Sequence, residues 1–246
     1  MTKTLLLAAL LACTSIHAAE ISVLSAGAVE PGMPAYTGLV KQQTGHELRI
    51  LYNAAPQIAK RLAEGQRYDI LVAPAGVMEQ AIKDGRVEAD TRIPVGRVGV
   101  GVAVRAGSNA PLIGDTAAFT RALVSADSVV YNTASTGLYV EKLFAKLDML
   151  ATLKPKTTRY ADGAAVMEHL LKGRRGEIGL GAITEIKLYE AKGLVYVGPL
   201  PADIQNYTRY DAAIMAGAAQ AEAARAALRV LAAPAGKAAF SSRGIE

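Results

Sequence analysis

The chain has 246 residues, of which 51% are hydrophobic and 20% are charged, and it carries a formal net charge of +5 at pH 7. This length suits one large or two small α/β domains with a substantial core. The sequence contains no Lys/Arg-rich run with interleaved aromatic residues. The composition therefore argues against nucleic-acid binding and leaves a mild positive field that would help to collect a small anion.

The first 19 residues have the pattern of a cleaved export signal. A charged start precedes a short apolar stretch over 4–12, and Ala18 and Ala19 offer small residues for cleavage. The apolar stretch is shorter than the roughly 20 residues that span a bilayer. We therefore predict a signal peptide over 1–19 and a periplasmic mature protein without cysteine. Lipoprotein processing at Cys13 and a buried N-terminal element are the alternatives.

Strands and helices alternate in the first part of the mature chain. The pattern predicts strands over 21–24, 47–51 and 68–72, and helices over 34–43, 56–64 and 77–83. In the second helix Ile58 and Leu62 fall on one face, and Gly45 and Gly65 stand where C-terminal caps belong. This order predicts a parallel sheet with right-handed crossovers.

A second α/β cycle is bracketed by two long strand patterns, over 97–105 and 208–215. Between them the sequence predicts helices over 115–124, 138–150 and 164–172 and strands over 128–131, 157–160, 178–183 and 194–197, and an alanine-rich helix over 218–231 follows. We interpret this order as two lobes joined by the two long strands. Lobe 1 covers 20–96 plus 209–246, and lobe 2 covers 97–208. One continuous doubly wound sheet is the alternative.

Small and polar residues recur at four predicted strand-to-helix turns: Ser25–Ala28, Asn53–Pro56, Asn132–Gly137 and Ala161–Ala164. Ligands of open parallel sheets bind beyond the carboxyl ends of the strands, where such turns lie. Each turn offers backbone N–H groups at the positive end of a helix, worth about 0.3–2 kcal/mol toward an anion. Any one turn is equally explained as an ordinary helix cap. The recurrence of four favours an anion site between the lobes.

Ser135 and Thr136 are the clearest side-chain candidates, because their hydroxyls can donate to an oxyanion beside the amides of the same turn. Arg159, at a predicted strand end, could bind a carboxylate with two hydrogen bonds, and a solvated surface arginine is the equal alternative. No nucleophile-elbow, Walker or zinc-protease motif is present, and His46 and His169 stand beside no candidate nucleophile. We therefore predict a non-enzymatic site without a cofactor or a bound metal ion.

Six segments, taken in order and spacing, carry a resemblance to a known family: Ile21–Ala28, Ile58–Gly65, Tyr68–Ala73, Thr136–Tyr139, Leu153–Lys156 and Gly176–Ala182. They resemble the molybdate/tungstate-binding group of the periplasmic solute-binding proteins of ABC transporters. The likeness covers nearly the whole mature chain. It implies the type II two-lobe α/β fold, in which each lobe is a mostly parallel sheet flanked by helices and two crossover strands form the hinge.

The resemblance also implies where the ligand binds. The family's oxyanion pocket uses two serines of the first lobe, which fall on Ala28 and at about Ala55 or Pro56 in this chain. Its turn amides fall near Thr136 and Ala164, and its tyrosine falls near Ala182. Three hydroxyls are therefore missing, and each donor lost to a buried oxyanion costs roughly 1–3 kcal/mol. The predicted ligand site comprises Ser25, Ala26, Gly27, Ala28, Asn53, Ala55, Ser135, Thr136, Gly137, Arg159, Ala164 and Ala182.

By this resemblance the protein is expected to be the ligand-capturing subunit of an ABC importer, a monomer that docks on an inner-membrane permease. The family's usual ligand is a metal oxyanion, molybdate or tungstate. The missing hydroxyls make a small organic carboxylate, for uptake or sensing, the alternative ligand. A secreted enzyme on the same scaffold is the alternative of another class.

Overall fold

The computed structural model describes residues 18–246, so Cys13 and the predicted signal peptide up to residue 17 lie outside the described residues. The strands are β1 (Glu20–Ala26), β2 (Glu47–Asn53), β3 (Ile70–Pro74), β4 (Ile93–Arg105), β5 (Ser128–Asn132), β6 (Thr157–Tyr160), β7 (Glu177–Ala182), β8 (Leu194–Pro199) and β9 (Tyr207–Ile214). The α-helices are α1 (Met33–Thr44), α2 (Ala55–Ala63), α3 (Ala75–Lys83), α4 (Thr116–Ser125), α5 (Ser135–Lys146), α6 (Leu150–Leu153), α7 (Gly163–Lys172), α8 (Ile183–Leu188), α9 (Ala221–Ala232) and α10 (Pro234–Ser241). A 3₁₀ helix, Gly27–Gly32, directly follows β1. Within the described part, every helix is too short or too polar to cross a membrane.

The strands follow the order β2-β1-β3-β9-β4-β7-β5-β6, and β8 pairs with β4. Strands β1, β2 and β3 are parallel to one another, as are β5, β6 and β7. Antiparallel β9 separates β3 from β4. We call β1, β2, β3, β9 and the start of β4 the first sheet, and the end of β4 with β5–β8 the second sheet. The predicted α/β fold with mostly parallel sheets and flanking helices is confirmed.

Strand β4 belongs to both sheets. From Ile93 to Gly99 it pairs with β9, and from Val100 to Arg105 it pairs with β7 and β8. The register shifts once on each side of this change of partner. A continuous strand thus connects the two sheets. The lobe boundaries given above stay predictions.

Each sheet has its own hydrophobic core. The core of the first sheet includes the fully buried side chains of Ile21, Met33 and Phe240. The core of the second includes Phe119 and Phe144, and a smaller cluster covers its other face. Burying one such side chain is worth about 1.5–3 kcal/mol. In each half of the molecule, the apolar side chains are buried in the core of that half. The space between the two halves is therefore free to form a cleft.

Most predicted elements are shifted by a few residues at their ends, and two of these differences concern the ends of α5 and β7. The helix predicted over 138–150 ends at Lys146, because Asp148 has a left-handed backbone (φ 58) that an α-helix cannot continue through. The strand predicted over 178–183 ends at Ala182, and α8 begins at the next residue. The second difference adds a fifth strand-to-helix turn to the four predicted ones.

Candidate ligand-binding cleft

The predicted strand-to-helix turns of both sheets meet at one place. There they enclose an inner cavity of about 30 Å³, lined by Ala26, Gly27, Ala28, Asn53, Ala54, Ala55, Pro74, Asn132, Ala134, Ser135, Thr136, Gly163, Glu185 and Tyr210. An outer cavity of about 430 Å³ is lined by Gly27, Glu30, Tyr52, Asn53, Ala54, Gln57, Asp162, Ala164, Glu185, Leu188, Tyr189 and Lys192. Gly27, Asn53, Ala54 and Glu185 line both cavities, so the two adjoin, and together they form the cleft.

Asn132 organises the turn before α5. Its buried side chain accepts hydrogen bonds from the amides of Ala134 and Gly137, at 3.0 Å each. Gly137 is required here, since a Cβ at this position would overlap the carbonyl oxygen of Asn132. The described hydrogen bonds assign no acceptor to the amides of Ser135 and Thr136. Both residues line the inner cavity, where these amides are available to an anion.

Local hydrogen bonds also fix the starts of α2 and α7. The Ala54 amide donates to Gln57 Oε1 at 2.7 Å, and Arg61 Nε donates to Asn53 Oδ1 at 2.6 Å. Asp162 caps α7 by accepting from the Ala165 amide at 2.8 Å. The side chains of these turns are thereby held before any ligand arrives.

Glu185, in the first turn of α8, is one of the cleft residues that the sequence analysis missed, as are Glu30, Tyr189 and Lys192. A Cβ at Gly27 would lie 3.4 Å from its Oε1, and a Cβ at Gly163 would overlap its Oε2. The carboxylate therefore lies between the backbones of the two halves, and at residue 163 only glycine leaves room for it. The sequence signal for this residue was the pair Thr184-Glu185, which directly follows the buried strand predicted over 178–183. Such a position suits the first turn of a helix.

Burial is the main cause that raises the pKa of Glu185 to about 7. The negative charges of Asp162 and Glu30 act in the same direction, and the backbone of Ala182 opposes them. By accessible surface Glu185 is only partly buried, whereas protein atoms surround its carboxylate as densely as a buried group.

The remaining charges of the cleft are also mostly negative. Burial raises the pKa of Glu30, and nearby Lys192 opposes the shift. Among the described residues that line the cleft, Lys192 is the one with a positive charge. Residues 18–246 contain no group of three or more His, Cys, Asp or Glu side chains that could hold a metal ion. An anion in this cleft would therefore depend on backbone amides, hydroxyl groups, Lys192 and a protonated Glu185.

Eight of the twelve predicted site residues line the cleft: Ala26, Gly27, Ala28, Asn53, Ala55, Ser135, Thr136 and Ala164. Gly137 lies one residue behind this lining, and Ala182 is buried at the end of β7. Ser25 is fully buried, and its hydroxyl donates to the Ala26 carbonyl. Arg159 pairs with Glu141 at 3.0 Å and stacks over the Tyr131 ring, away from the lining. Ligand contact stays a prediction for all twelve.

Two α/β sheets that share a strand and enclose a cleft between their strand ends define a two-lobe ligand-binding protein. The chain matches the family model described as bacterial extracellular solute-binding protein over residues 21–246, and it belongs to that family.

Solved structures share this fold. The periplasmic molybdate-binding protein of Azotobacter vinelandii superposes with a TM-score of 0.73 at 16% identity, covering 92% of this chain and 98% of that one. The sulfate-binding protein of Mycobacterium tuberculosis gives a TM-score of 0.75 at 19% identity, covering 93% and 86%. A curated relative, aconitate isomerase from Pseudomonas sp, is 29% identical over 237 residues, covering 92% of this chain and 88% of the relative. The type II fold that the sequence resembles is confirmed.

Proposed function

We propose that this solute-binding protein captures a small organic polycarboxylate in its cleft. The observation that carries the proposal is the position of Glu185 between the two halves. A compact, doubly charged oxyanion there would hold its whole charge among three carboxylates, with Ala28 and Ala55 in place of hydroxyl donors, whereas a polycarboxylate spreads its charges along the cleft. An organic acid can instead share a proton with Glu185, because the pKa of about 7 keeps that side chain partly protonated near neutral pH.

The size and lining of the cleft also favour an extended ligand. A volume of about 430 Å³ lies in the range of small-molecule sites and exceeds what a tetrahedral oxyanion fills. One carboxylate can meet the amides and hydroxyls of Ser135 and Thr136 in the inner cavity, and another can reach Lys192. The apolar parts of Leu188 and Tyr189 suit a carbon skeleton between the two.

The relative named aconitate isomerase supports the same ligand class, since aconitate is an unsaturated tricarboxylate. The molybdate- and sulfate-binding structures support the fold alone at their low identities. We therefore propose an aconitate-like tricarboxylate as the ligand, with molybdate or tungstate as the competing expectation. Family membership further supports a periplasmic location and delivery of the ligand to a membrane permease.

The ligand class is tested by thermal shift and calorimetry of the purified mature protein. The ligands are cis-aconitate, trans-aconitate, citrate, molybdate, tungstate and sulfate. A ligand that binds the folded state alone raises the melting temperature by mass action. We expect tricarboxylates to raise it and the oxyanions to leave it unchanged. If molybdate or tungstate raises the melting temperature and no tricarboxylate does, the proposal is wrong.

Replacing Lys192 with alanine tests the charge at the outer end of the cleft. We expect Lys192→Ala to weaken tricarboxylate binding about tenfold, since a charge-assisted hydrogen bond is worth about 1.5–3 kcal/mol. The matched control is Lys187→Ala. Lys187 lies over the ring of Tyr196 much as Lys192 lies over that of Tyr189, but it does not line the cleft. Equal effects of the two variants in calorimetry would contradict a role for Lys192.

A further inference from the structure

We infer that Glu185 is a catalytic residue, a base and acid that moves a proton within the bound unsaturated polycarboxylate and so interconverts its isomers. This inference rests on the proposed function, because it requires a carboxylate ligand in the cleft. It adds chemical turnover to capture at the same site.

Glu185 stands where a bound ligand must pass. It lines both cavities, so a ligand that bridges Ser135 and Lys192 runs beside its carboxylate. A side chain at Gly163 would occupy the place of Glu185 Oε2, so this glycine lets the carboxylate lie where the two cavities adjoin. A ligand that fills both cavities can therefore bring its carbon atoms close to the carboxylate, as proton transfer requires.

The surroundings of Glu185 suit a group that both accepts and gives a proton. The titratable groups that face it are Asp162, Glu30, Tyr189 and Tyr210. None of these is a cation. Lys192 lines the same outer cavity, where its charge acts on Glu30, and no cation among the described residues lowers the pKa of Glu185. Its pKa of about 7 lies close to neutral pH, where a proton-transfer group works best.

The reaction that fits is a 1,3-proton shift. Ionised Glu185 removes a proton from the methylene carbon that lies both next to the double bond and α to a carboxylate. The C–H bond breaks, and its electron pair spreads over the three-carbon unit and the adjoining carboxylate. The double bond moves by one position when protonated Glu185 returns the proton to the far carbon. The composition and oxidation state of the ligand are unchanged, so no co-reactant is needed.

Other cleft residues can stabilise the charge that develops during this step. The amides of Ser135 and Thr136 and the ammonium group of Lys192 reach the same cleft. The two histidines of the described residues lie elsewhere. His169 Nδ1 lies 2.8 Å from the Tyr160 hydroxyl, and His46 Nδ1 accepts from the Ala19 amide. Of the three described carboxylates of the cleft, Glu185 is the one that lines both cavities, and we assign it as the base.

The test follows cis- and trans-aconitate by NMR in heavy water while calorimetry measures binding. We expect the unaltered protein to interconvert the isomers and to place deuterium at the methylene carbon. We expect Glu185→Gln to bind the isomers with an affinity within a few-fold of that of the unaltered protein. The rates of isomerisation and of deuterium incorporation should each fall at least 100-fold, the usual contribution of a general base. Glu185→Asp should bind and retain part of the rate. Glu190→Gln, an exposed control outside the cleft, should behave as the unaltered protein.

A pH profile separates proton transfer from a purely structural role. Asp162→Asn keeps a capping side chain but removes one charge that raises the pKa of Glu185. We expect the acid limb of kcat/KM to move to lower pH. Asp115→Asn, the equivalent cap of α4, should not move it. An unmoved profile in Asp162→Asn would count against Glu185 as the titrating base.

The remaining outcomes separate the two proposals. Binding of both isomers without deuterium exchange overturns the inference and leaves the proposed function standing. Failure of either isomer to bind overturns both. An undiminished rate in Glu185→Gln, or loss of binding in both Glu185 variants while they stay folded by circular dichroism, overturns the catalytic role.

Discussion

At the scale of single residues, Glu185 differs from two buried acids, Asp69 and Asp211. Asp69 accepts hydrogen bonds from the Ser22 amide, the Ser22 hydroxyl and the Gln220 amide, at 2.6–2.8 Å. Asp211 pairs with Arg92 at 2.6 Å. Buried polar groups are normally satisfied in this way. The charged neighbours of Glu185 are carboxylates instead, and this arrangement destabilises the folded state. A role of Glu185 in the cleft explains the arrangement.

The stability of Glu185→Gln against pH tests this view. A pKa raised from 4.5 to about 7 means that the folded state binds more protons between these values. Stability is therefore lost as the pH rises from about 4.5 to about 7, and the loss is complete above that window. Glu185→Gln should remove this loss, so we expect it to be more stable than the unaltered protein at pH 8, by no more than about 3 kcal/mol.

Urea unfolding at pH 8 and pH 4.5 measures the effect. The two proteins should differ little at the lower pH, where Glu185 is protonated in the folded state. Asp69→Asn serves as the control and should lose stability at pH 8, because it disturbs an acceptor of three hydrogen bonds. A Glu185→Gln protein that is less stable at pH 8 would show that the ionised carboxylate is favourably paired.

At the scale of elements, the starts of the helices hold the cleft together. Asn132 and Gly137 set the turn before α5, and Asp162 sets the turn before α7. The main-chain carbonyl of Asn132 fills the place that a Cβ of residue 137 would take. The positions of Ser135 and Thr136 in the cleft thus depend on Gly137, which does not itself line the inner cavity.

Alanine at Gly137 tests that dependence. The new Cβ would overlap main-chain atoms of Asn132, which a side-chain rotation cannot relieve. We expect Gly137→Ala to lose about 2–4 kcal/mol of stability and to weaken tricarboxylate binding. Gly38→Ala is the control, since Gly38 is exposed in α1 with no atom near its would-be Cβ. It should gain about 0.5–1 kcal/mol. Equal melting temperatures of the two variants would contradict the steric argument.

The sequence predicts the four turns well, because each combines a short apolar strand with cap residues, and both signals are local. The fifth turn was missed because the β-branched Ile183 continues the strand pattern of β7. Helix α8 has six residues, too few for a helical periodicity to be recognised. Glu185 lies against Gly27 and Gly163 because of the way in which the two sheets approach each other. No local sequence pattern encodes that approach.

At the scale of the whole molecule, the two halves are joined across the cleft as well as through β4. Fully buried Thr184 donates its hydroxyl to the Ala28 carbonyl at 2.6 Å. Thr184 follows a strand of the second sheet, and Ala28 follows a strand of the first. This hydrogen bond therefore links the two halves across the cleft, and we expect it to favour a closed arrangement if the lobes close about a hinge.

Valine at Thr184 keeps the volume but leaves the Ala28 carbonyl without its donor. We expect Thr184→Val to weaken tricarboxylate binding about tenfold, as the loss of about 1.4 kcal/mol predicts, because closure becomes less favourable. The radius of gyration from small-angle scattering should rise in the absence of ligand. Thr157→Val removes a hydroxyl that donates to the Leu153 carbonyl within the second half, at 2.9 Å. It should alter stability alone, and matching affinities of the two variants would count against the closure role.

The pairing of β3 with β9 also sets the order in which the molecule can fold. Ile70 pairs with Ile214, so the first sheet needs strands from opposite ends of the chain. The parallel strands of the second sheet come from one continuous stretch, and closing shorter loops costs less entropy. A chain that emerges amino end first must keep β1–β3 incomplete until β9 arrives. The first and second sheets each contribute one side of the ligand-binding surface, and they complete their folding at different times. We therefore expect this surface to be completed among the last events of folding.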